Sequence, residues 1–200
     1  MFKNIITMNI QESSYHALEK NRIMIIGCEI HTYDNKEVKS WIATSEEEES
    51  KMLCDFRDFL HSLNLQTTLI LTYDGKEYDL KILLTRAMIL NIDLSDLWSF
   101  QHIDLFDFLK KSTRLGRSNI FDVAGILQCE SVGNQSQKED LKMVSPTVLA
   151  AEARWKDLET YNNTMLSVIY EIFQKIKPYL FPEFRTDLLD SQPSQEGIFG

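Results

Sequence analysis

The sequence has few of the residues that break, cross-link or anchor a chain. Only 7 glycines and 4 prolines occur among 200 residues, and 44% of the residues are hydrophobic, which is typical of a compact globular domain. Cys28, Cys54 and Cys129 form no CxxC pair, which argues against a disulfide framework or a zinc site. There is no N-terminal signal pattern, and no apolar run approaches the roughly 20 residues that cross a bilayer. We therefore expect an intracellular protein, cytoplasmic or nuclear, with no membrane partner.

Positive charge is also scarce. Thirty acidic residues against 21 basic ones give a net charge of −9, which disfavours non-specific attraction to a nucleic-acid backbone. The one compact basic stretch comprises Lys110, Lys111, Arg114 and Arg117, with no acid between them. These cations could bind phosphates of a nucleic acid. Equally, they could stabilise the negative end of a helix dipole and face solvent, so both interpretations stay open.

Hydrophobic patterning predicts a sheet whose first strands are antiparallel. Strands are expected at residues 5–10, 22–31, 37–43 and 67–72, with a hairpin turn at 34–35. The second strand is too apolar at its centre to face water, so it should be buried. The later alternation of strand and helix predicts parallel crossovers. The expected fold class is therefore α/β, with a mixed central sheet flanked by helices.

Helices are expected to dominate the rest of the chain. A helix over residues 46–63 has one apolar face and begins at the Ser45 cap. Further helices are expected at 79–90, 103–111, 120–128 and, continuous or broken, from 146 or 147 to Pro178, with a polar loop at 131–145. Residues 1–180 should form one domain and residues 181–200 a polar, flexible C-terminal tail.

Three short segments carry the functional signal. Residues 9–11 read Asn-Ile-Gln at the end of the first strand, residues 74–79 read Asp-Gly-Lys-Glu-Tyr-Asp before a helix, and residues 161–165 read Tyr-Asn-Asn-Thr-Met on the last helix. With the order of elements and the segment His-Ile-Asp-Leu at 102–105, they resemble the DEDDy branch of the DEDD 3′→5′ exonucleases, related to the proofreading domains of family B polymerases. The resemblance covers about residues 3–177 and implies a ribonuclease H-like fold.

The resemblance also implies which residues belong to a metal site. The family motifs are Asp-x-Glu, Asn-Gly-x-x-Phe-Asp and Tyr-x-x-x-Asp, whose four carboxylates hold two Mg²⁺ or Mn²⁺ ions. By this alignment the chain keeps Asp79 and Tyr161, whereas Asn9, Gln11 and Met165 stand where acids belong. Amide oxygens are neutral and a thioether is soft, so neither suits a hard cation. We therefore expect a degenerate site with no cofactor, and Mg²⁺ or Mn²⁺ only if the protein is active.

Each of these residues also has a structural interpretation. Asp79, the one remaining candidate metal ligand, could cap the helix that follows it. Tyr161 and Met165 could be core residues at helical spacing. Asn9 and Gln11 have the shapes of the acids they replace, so they fit either natural loss of the site or deliberate isosteric replacement. Methionine at 165 favours natural loss, because it is a poor imitation of aspartate.

Spare acids offer another way to an active site. Glu12, Asp104 and Asp107 could supply carboxylates to a displaced metal site. Strand alternation, however, predicts that Glu12 points to the face opposite Gln11. The four histidines lack metal-ligand spacing and there is no glycine-rich phosphate loop, so other catalytic classes have little support.

Three functional hypotheses follow from the sequence. The leading one is a catalytically degenerate, non-catalytic binding or scaffolding subunit in DNA repair or RNA processing, with a protein partner and with single-stranded nucleic acid as a second ligand. The alternative is an active metal-dependent 3′→5′ exonuclease on single-stranded DNA or RNA. The third concerns residues 195–199, whose Ile198 and Phe199 stand in a polar setting and resemble short peptides that dock on sliding clamps.

Overall fold

Five strands form a single mixed sheet in the computed structural model, which describes residues 2–13, 21–133 and 145–181. The strands are Asn4–Glu12 (β1), Ile23–His31 (β2), Lys36–Ile42 (β3), Thr68–Thr72 (β4) and Gln101–Asp104 (β5). Their order across the sheet is β3-β2-β1-β4-β5. The first three strands pair antiparallel, whereas β4 runs parallel to β1 and β5 runs parallel to β4. This arrangement confirms the predicted α/β class and mixed sheet.

Helices cover both faces of the sheet. They are Glu46–His61 (α1), Asp79–Ile89 (α2), Leu105–Ser112 (α3), Ile120–Ile126 (α4), Pro146–Ala151 (α5) and Trp155–Leu180 (α6). Short 3₁₀ helices occupy Ser95–Ser99, Leu115–Arg117 and Glu130–Val132. The helix α1 begins at the predicted cap, because the Ser45 side chain accepts a hydrogen bond from the Glu48 backbone N–H.

Alternation along the strands divides the core into two main layers. On one face, Ile6, Met8 and Ile10 of β1 pack in the cluster that contains the buried residues of α1 and α2. On the other face, Leu69 and Leu71 of β4 pack in the cluster that contains α4 and most of the buried face of α6. The sheet is therefore the middle layer of three, and α2 and α6 lie on opposite sides of β1.

A buried ion pair joins the helices of the first layer. Arg86 of α2 donates two hydrogen bonds to Glu49 of α1, at 2.9 and 2.6 Å, and both side chains are almost completely buried. Glu49 also accepts a hydrogen bond of 2.8 Å from the Ile23 backbone N–H. Because each charge is paired and hydrogen bonded, this pair fixes α1, α2 and the start of β2 relative to one another.

The predicted elements agree with the observed ones to within one or two residues, with two corrections. The first concerns the helix predicted at 103–111. Residues 101–104 instead form β5, and α3 begins only at Leu105. A strand of four residues offers too little alternation to be distinguished from the start of a helix, and its identity depends on pairing with β4.

The second correction concerns Pro178, which was expected to end the last helix. The helix α6 continues to Leu180, and the Phe181 N–H still donates to the Lys177 carbonyl at 2.9 Å. Proline lacks one N–H donor, so the helix loses a single hydrogen bond in its final turn and does not end there. The break allowed for in this region is confirmed, because α5 and α6 are separate helices.

The remaining predictions lie wholly or partly beyond the described residues. Residues 182–200 are outside them, so the predicted tail and the segment at 195–199 stay predictions. The same holds for residues 134–144 of the loop predicted at 131–145. Within the described ranges, no helix has both the length and the apolar character needed to span a bilayer.

Candidate functional site

An open cavity of about 720 Å³ lies where the end of β1 meets the start of α2 and the middle of α6. Its wall includes the candidate residues of all three sequence motifs, together with one spare acid: Asn9, Gln11, Glu12, Asp79, Tyr161 and Met165. The structure thus brings together segments that are separated by up to 150 residues in the chain. We call this space the motif cavity.

Asn9 is held from the opposite layer by a residue that the motifs did not single out. Its side-chain N–H donates to the Asn162 side-chain oxygen at 2.7 Å, and both amides are buried. Asn162 fits only because Gly27 lies opposite it, since a Cβ there would come within 1.9 Å of the Asn162 amide nitrogen. Asn162 stands four residues from both Leu158 and Leu166 on the buried face of α6. A polar residue at apolar spacing was the sequence signal that could have identified it.

Glu12 lies on the wall of the motif cavity together with Gln11. The pairing of β1 with β2 shifts register between these two residues: Gln11 pairs with Ile25 and Glu12 with Ile23, so the extra residue belongs to β2. The wall includes residues of α2 and of α6, which lie on opposite sides of the sheet, so the expected alternation of Gln11 and Glu12 stays a prediction. Burial raises the pKa of Glu12, although a hydrogen bond of 2.5 Å from Asn21 opposes the shift.

Asp79 is another acid on the wall of the motif cavity, and it does not cap α2. The cap position is Tyr78, which makes no side-chain capping hydrogen bond, so the capping interpretation of Asp79 is wrong. Asp79 is instead the first residue of the helix, and its carboxylate accepts a hydrogen bond from the Ile10 backbone N–H. Burial raises its pKa to about 8, with further contributions from the negative charges of Asp104 and Glu12.

Tyr161 and Met165 both line the motif cavity and pack against the second core layer. They stand one helical turn apart on α6 and are partly buried against the cluster that contains Leu69 and Leu71. This position agrees with their interpretation as core residues. It also leaves the phenol ring and the thioether in contact with whatever occupies the motif cavity.

The other spare acids lie outside the cavity wall. Asp104 caps α3 and accepts hydrogen bonds from the backbone N–H groups of Asp74 and Lys76 at 2.9 and 2.8 Å. All of its oxygens are thus engaged in holding the chain turn after β4. Asp107 is one turn into α3 and lies 3.4 Å from Lys111. Neither acid is part of the wall of the motif cavity.

The predicted basic stretch lies at the end of α3 and in the turn that follows. Lys110 and Lys111 occupy the last turn of the helix, where cations favour its dipole. Lys110 Nζ lies 5.8 Å from the centre of the Phe106 ring, and Arg114 is exposed. The backbone of Arg117 closes the adjacent 3₁₀ helix, while its side chain is outside the described part.

The donor groups of the motif cavity are chemically mixed. Three carboxylic acids, three amides, two phenols, an ammonium group, a hydroxyl and a thioether line it. Among the described residues, no three His, Cys, Asp or Glu side chains are grouped so that they could hold a metal ion. Hard divalent cations prefer charged oxygen ligands, and burial raises the pKa of Asp79 to about 8. The wall of the motif cavity thus combines acidic donors with neutral ones.

Comparison with known proteins identifies relatives by sequence and by structure. Residues 15–143 match the family model described as RNase_H superfamily. No curated protein matches the chain. Among solved structures, the chain is similar to the family B DNA polymerase from the hyperthermophilic archaeon Pyrobaculum calidifontis, with a TM-score of 0.67 and 14% sequence identity. That match covers 88% of this chain and 25% of the polymerase, so the chain spans a quarter of the polymerase's length.

Proposed function

The chain belongs to the RNase_H superfamily and has a ribonuclease H-like α/β fold, and on that premise we propose that it is a non-catalytic binding or scaffolding subunit in nucleic-acid processing. One observation carries the proposal. Asn9, Gln11 and Met165 all line the motif cavity, and the resemblance to the DEDDy pattern aligns each of them with an acid. Two amides and a thioether cannot supply the negative charge that holds two divalent cations around a phosphate.

The hydrogen bonding of the motif cavity supports the same proposal. The Asn9 amide N–H donates a hydrogen bond to Asn162. A carboxylate has no N–H group, so an aspartate at this position could not donate this bond. Asp79 receives the Ile10 backbone N–H and therefore fastens α2 to the end of β1. Both residues thus have structural work to do without any metal. The motif cavity remains open, so it can still accept the end of a nucleic-acid strand or a segment of a partner protein.

A cleavage assay tests the proposal directly. The purified chain is incubated with 5′-labelled single-stranded DNA and RNA in the presence of Mn²⁺. We expect no 3′ trimming above the level seen for Asp79→Ala. Trimming that is present in the unmodified chain and lost in Asp79→Ala would overturn the proposal.

Restoring the acids tests the residue correspondences themselves. The triple change Asn9→Asp, Gln11→Glu and Met165→Asp is expected to produce Mn²⁺ binding by calorimetry and measurable trimming. Asn162 can accommodate the first change if its amide turns over, because the N–H₂ has no hydrogen-bond partner among the described residues and would then donate to an aspartate. A folded triple variant that neither binds Mn²⁺ nor cleaves would show that the motif alignment is wrong.

A second candidate function is an active 3′→5′ exonuclease with a rearranged site. The observation that favours it is that Glu12 and Asp79 both lie on the wall of the motif cavity. In that case Glu12→Gln would abolish trimming by the unmodified chain. Asp107→Asn is the matched control, because this acid lies on α3 outside the cavity wall and its replacement should leave trimming intact.

The segment at 195–199 stays a separate proposal for partner docking. Removal of residues 191–200 should abolish binding to a sliding clamp if Ile198 and Phe199 anchor the chain there. Binding that is unchanged by the truncation would dismiss this idea and leave the proposed role of the motif cavity untouched.

A further inference from the structure

A second cavity, of about 220 Å³, lies beside the turn that precedes α2. We call it the Trp98 cup, and the residues that matter for its chemistry are Lys76, Trp98, Phe100 and His102. Buried aliphatic side chains of β4, α2 and the 3₁₀ helix at 95–99 complete its wall. Lys76 belongs to the same turn as Glu77 and Tyr78 of the motif cavity, so the two cavities are neighbours.

The indole of Trp98 is the most unusual feature of the cup. It is 61% exposed, although it belongs to the wall of a cavity whose other aromatic, Phe100, is buried. An exposed indole offers a flat apolar face, on which another ring can stack with a gain in free energy. The volume of the cup suits one flat ring system, which would be covered by Trp98 on one side.

His102 supplies a hydrogen-bond acceptor to the cup, and its tautomer follows from its neighbours. The Thr72 hydroxyl donates a hydrogen bond to a carboxylate oxygen of Asp104, at 3.3 Å. Thr72 Oγ1 therefore accepts from Nε2–H of His102, at 2.8 Å. Burial, aided by the charge of Lys76, lowers the pKa of His102 to about 4, so the ring is neutral. Nδ1 is left as an acceptor for an N–H group.

Lys76 provides a positive charge at the rim of the cup. Its side chain is exposed, while its backbone N–H is fixed by Asp104 at 2.8 Å. Within the described part of the chain no carboxylate lies at ion-pair distance from its ammonium group, whereas the adjacent Glu77 is paired with Lys81 at 2.5 Å. The turn is thus held in place, with Lys76 available to an anion.

We propose that the Trp98 cup binds one base of a single-stranded nucleic acid, with Trp98 stacked on the base, His102 accepting from its amino group and Lys76 next to its phosphate. The ring, the N–H donor and the anion are all present in a nucleotide with an amino-bearing base. An aromatic side chain of a partner protein would leave Nδ1 of His102 and Lys76 without ligands. The inference rests on the proposed function for the class of ligand, and it adds a binding site outside the motif cavity.

Binding of an oligodeoxyadenylate octamer tests the cup. Fluorescence anisotropy of the labelled octamer is followed in EDTA, which suppresses any cleavage, using the full chain. We expect Trp98→Ala to weaken binding by about 5- to 150-fold, the range for loss of one stacked base, and Trp98→Phe to weaken it less. Lys76→Gln should also weaken binding. Tyr33→Ala is the matched control, because Tyr33 is an exposed aromatic (99%) outside the cup and its removal should change nothing.

Altered octamers separate the three contacts. An abasic octamer retains the phosphates but has no bases. Its affinity for the unmodified chain should be no higher than the affinity of the adenylate octamer for Trp98→Ala. An octamer of unsubstituted purine keeps the ring and lacks the amino group, so it should bind more weakly than the adenylate. Equal binding of all three octamers would overturn the proposal. So would failure of the unmodified chain to bind the octamer.

Failure of the cup and failure of the proposed function give different results. Octamer binding that is unaffected by Trp98→Ala and Lys76→Gln would overturn the cup and leave a non-catalytic binding role intact. A different result would be that both the unmodified chain and Trp98→Ala trim the octamer in Mn²⁺, while Trp98→Ala binds it more weakly in EDTA. That result would overturn the proposed function and support the cup. Circular dichroism confirms that each variant is folded.

Discussion

Asn9 shows how a polar side chain of the first strand can become part of the core. Its hydrogen bond to Asn162 crosses from the first strand to the last helix, over a sequence separation of 153 residues. Both side chains are buried, so neither amide can exchange this bond for water. The pair therefore ties β1 to α6 at the edge of the motif cavity.

A double-mutant cycle should measure this tie. Asn9→Ala and Asn162→Ala are each expected to lower the free energy of unfolding by about 1–3 kcal/mol, because each leaves a buried polar group unpaired. The double variant should lose less than the sum of the two, since no unpaired partner then remains. Urea denaturation gives the three values. Lys156→Ala, at an exposed site of the same helix, should change stability by less than about 0.5 kcal/mol, and additive losses would contradict the coupling.

Asp79 should make stability depend on pH. Its pKa is raised from 3.8 to about 8 on folding, so the unfolded chain loses this proton near pH 4 while the folded chain keeps it until about pH 8. Over this window the unfolded state binds fewer protons, and the contribution of Asp79 to stability falls as pH rises. Asp79→Asn cannot ionise and should lack this contribution.

Urea denaturation at pH 5 and pH 8 tests the sign of that effect. The stability of Asp79→Asn relative to the unmodified chain should increase between the two pH values. Asp55→Asn is the control, because Asp55 is exposed on α1 and its replacement should give no such trend. A relative stability of Asp79→Asn that stays constant or falls would show that Asp79 is ionised in the folded protein.

Among the elements, the junction of β4, β5, α2 and α3 depends on a single carboxylate. Asp104 ends β5, caps α3 and accepts hydrogen bonds from the turn at 74–76. Asp74 in that turn has a φ of 62°, a left-handed conformation that costs energy for a residue other than glycine. The hydrogen bonds that Asp104 accepts from this turn offset the strain. The turn then positions one wall of the motif cavity and one wall of the Trp98 cup.

Replacement of Asp104 should loosen this junction as a unit. Asp104→Ala removes an N-cap and the two turn hydrogen bonds, so we expect a loss of roughly 2–4 kcal/mol in the free energy of unfolding. Amide hydrogen exchange at Asp74 and Lys76 should accelerate more than exchange in β2. The comparison variant is Asp107→Ala, one turn along α3, which should cost about 1 kcal/mol or less. Equal losses for the two variants would contradict the central role of Asp104.

The net charge of the protein determines how nucleic acid can bind. A charge of −9 opposes attraction to phosphates at long range, so contacts must come from local groups. Two sets of cations are available: Lys76 at the Trp98 cup and the predicted stretch at Lys110, Lys111, Arg114 and Arg117. Part of the second set is engaged within α3, since Lys111 pairs with Asp107.

Salt dependence should distinguish the two sets of cations. Each phosphate contact on a single strand contributes about 0.7 to the slope of log binding constant against log salt concentration. Binding that depends on Lys76 and stacking should have a shallow slope, of about 1, whereas engagement of the whole basic stretch should give about 3. Octamer titrations across a range of salt concentrations measure the slope. A steep slope that Lys111→Gln reduces would assign binding to α3 instead.

Much of this protein could be predicted from local sequence patterns. The positions of β1 to β4, the start of α1 at Ser45 and the α/β class follow from the spacing of apolar residues and from capping, which are local properties. The motif segments were also identified in sequence, and the fold brings them to one cavity. Hydrophobic periodicity determines which face of each element is buried, and the order of elements then limits the ways in which those faces can meet.

Contacts between residues that are distant in the sequence depend on tertiary packing. The register shift beside Glu12 depends on how β1 pairs with β2, and β5 is a strand only because it pairs with β4. The bond between Asn9 and Asn162 and the assembly of the Trp98 cup likewise join parts of the chain that have no local signal for each other. The spacing of buried residues within an element depends on residues that are neighbours in the sequence. Strand register, bulges and cavity walls depend on the free energy of the whole packed chain, to which distant residues contribute.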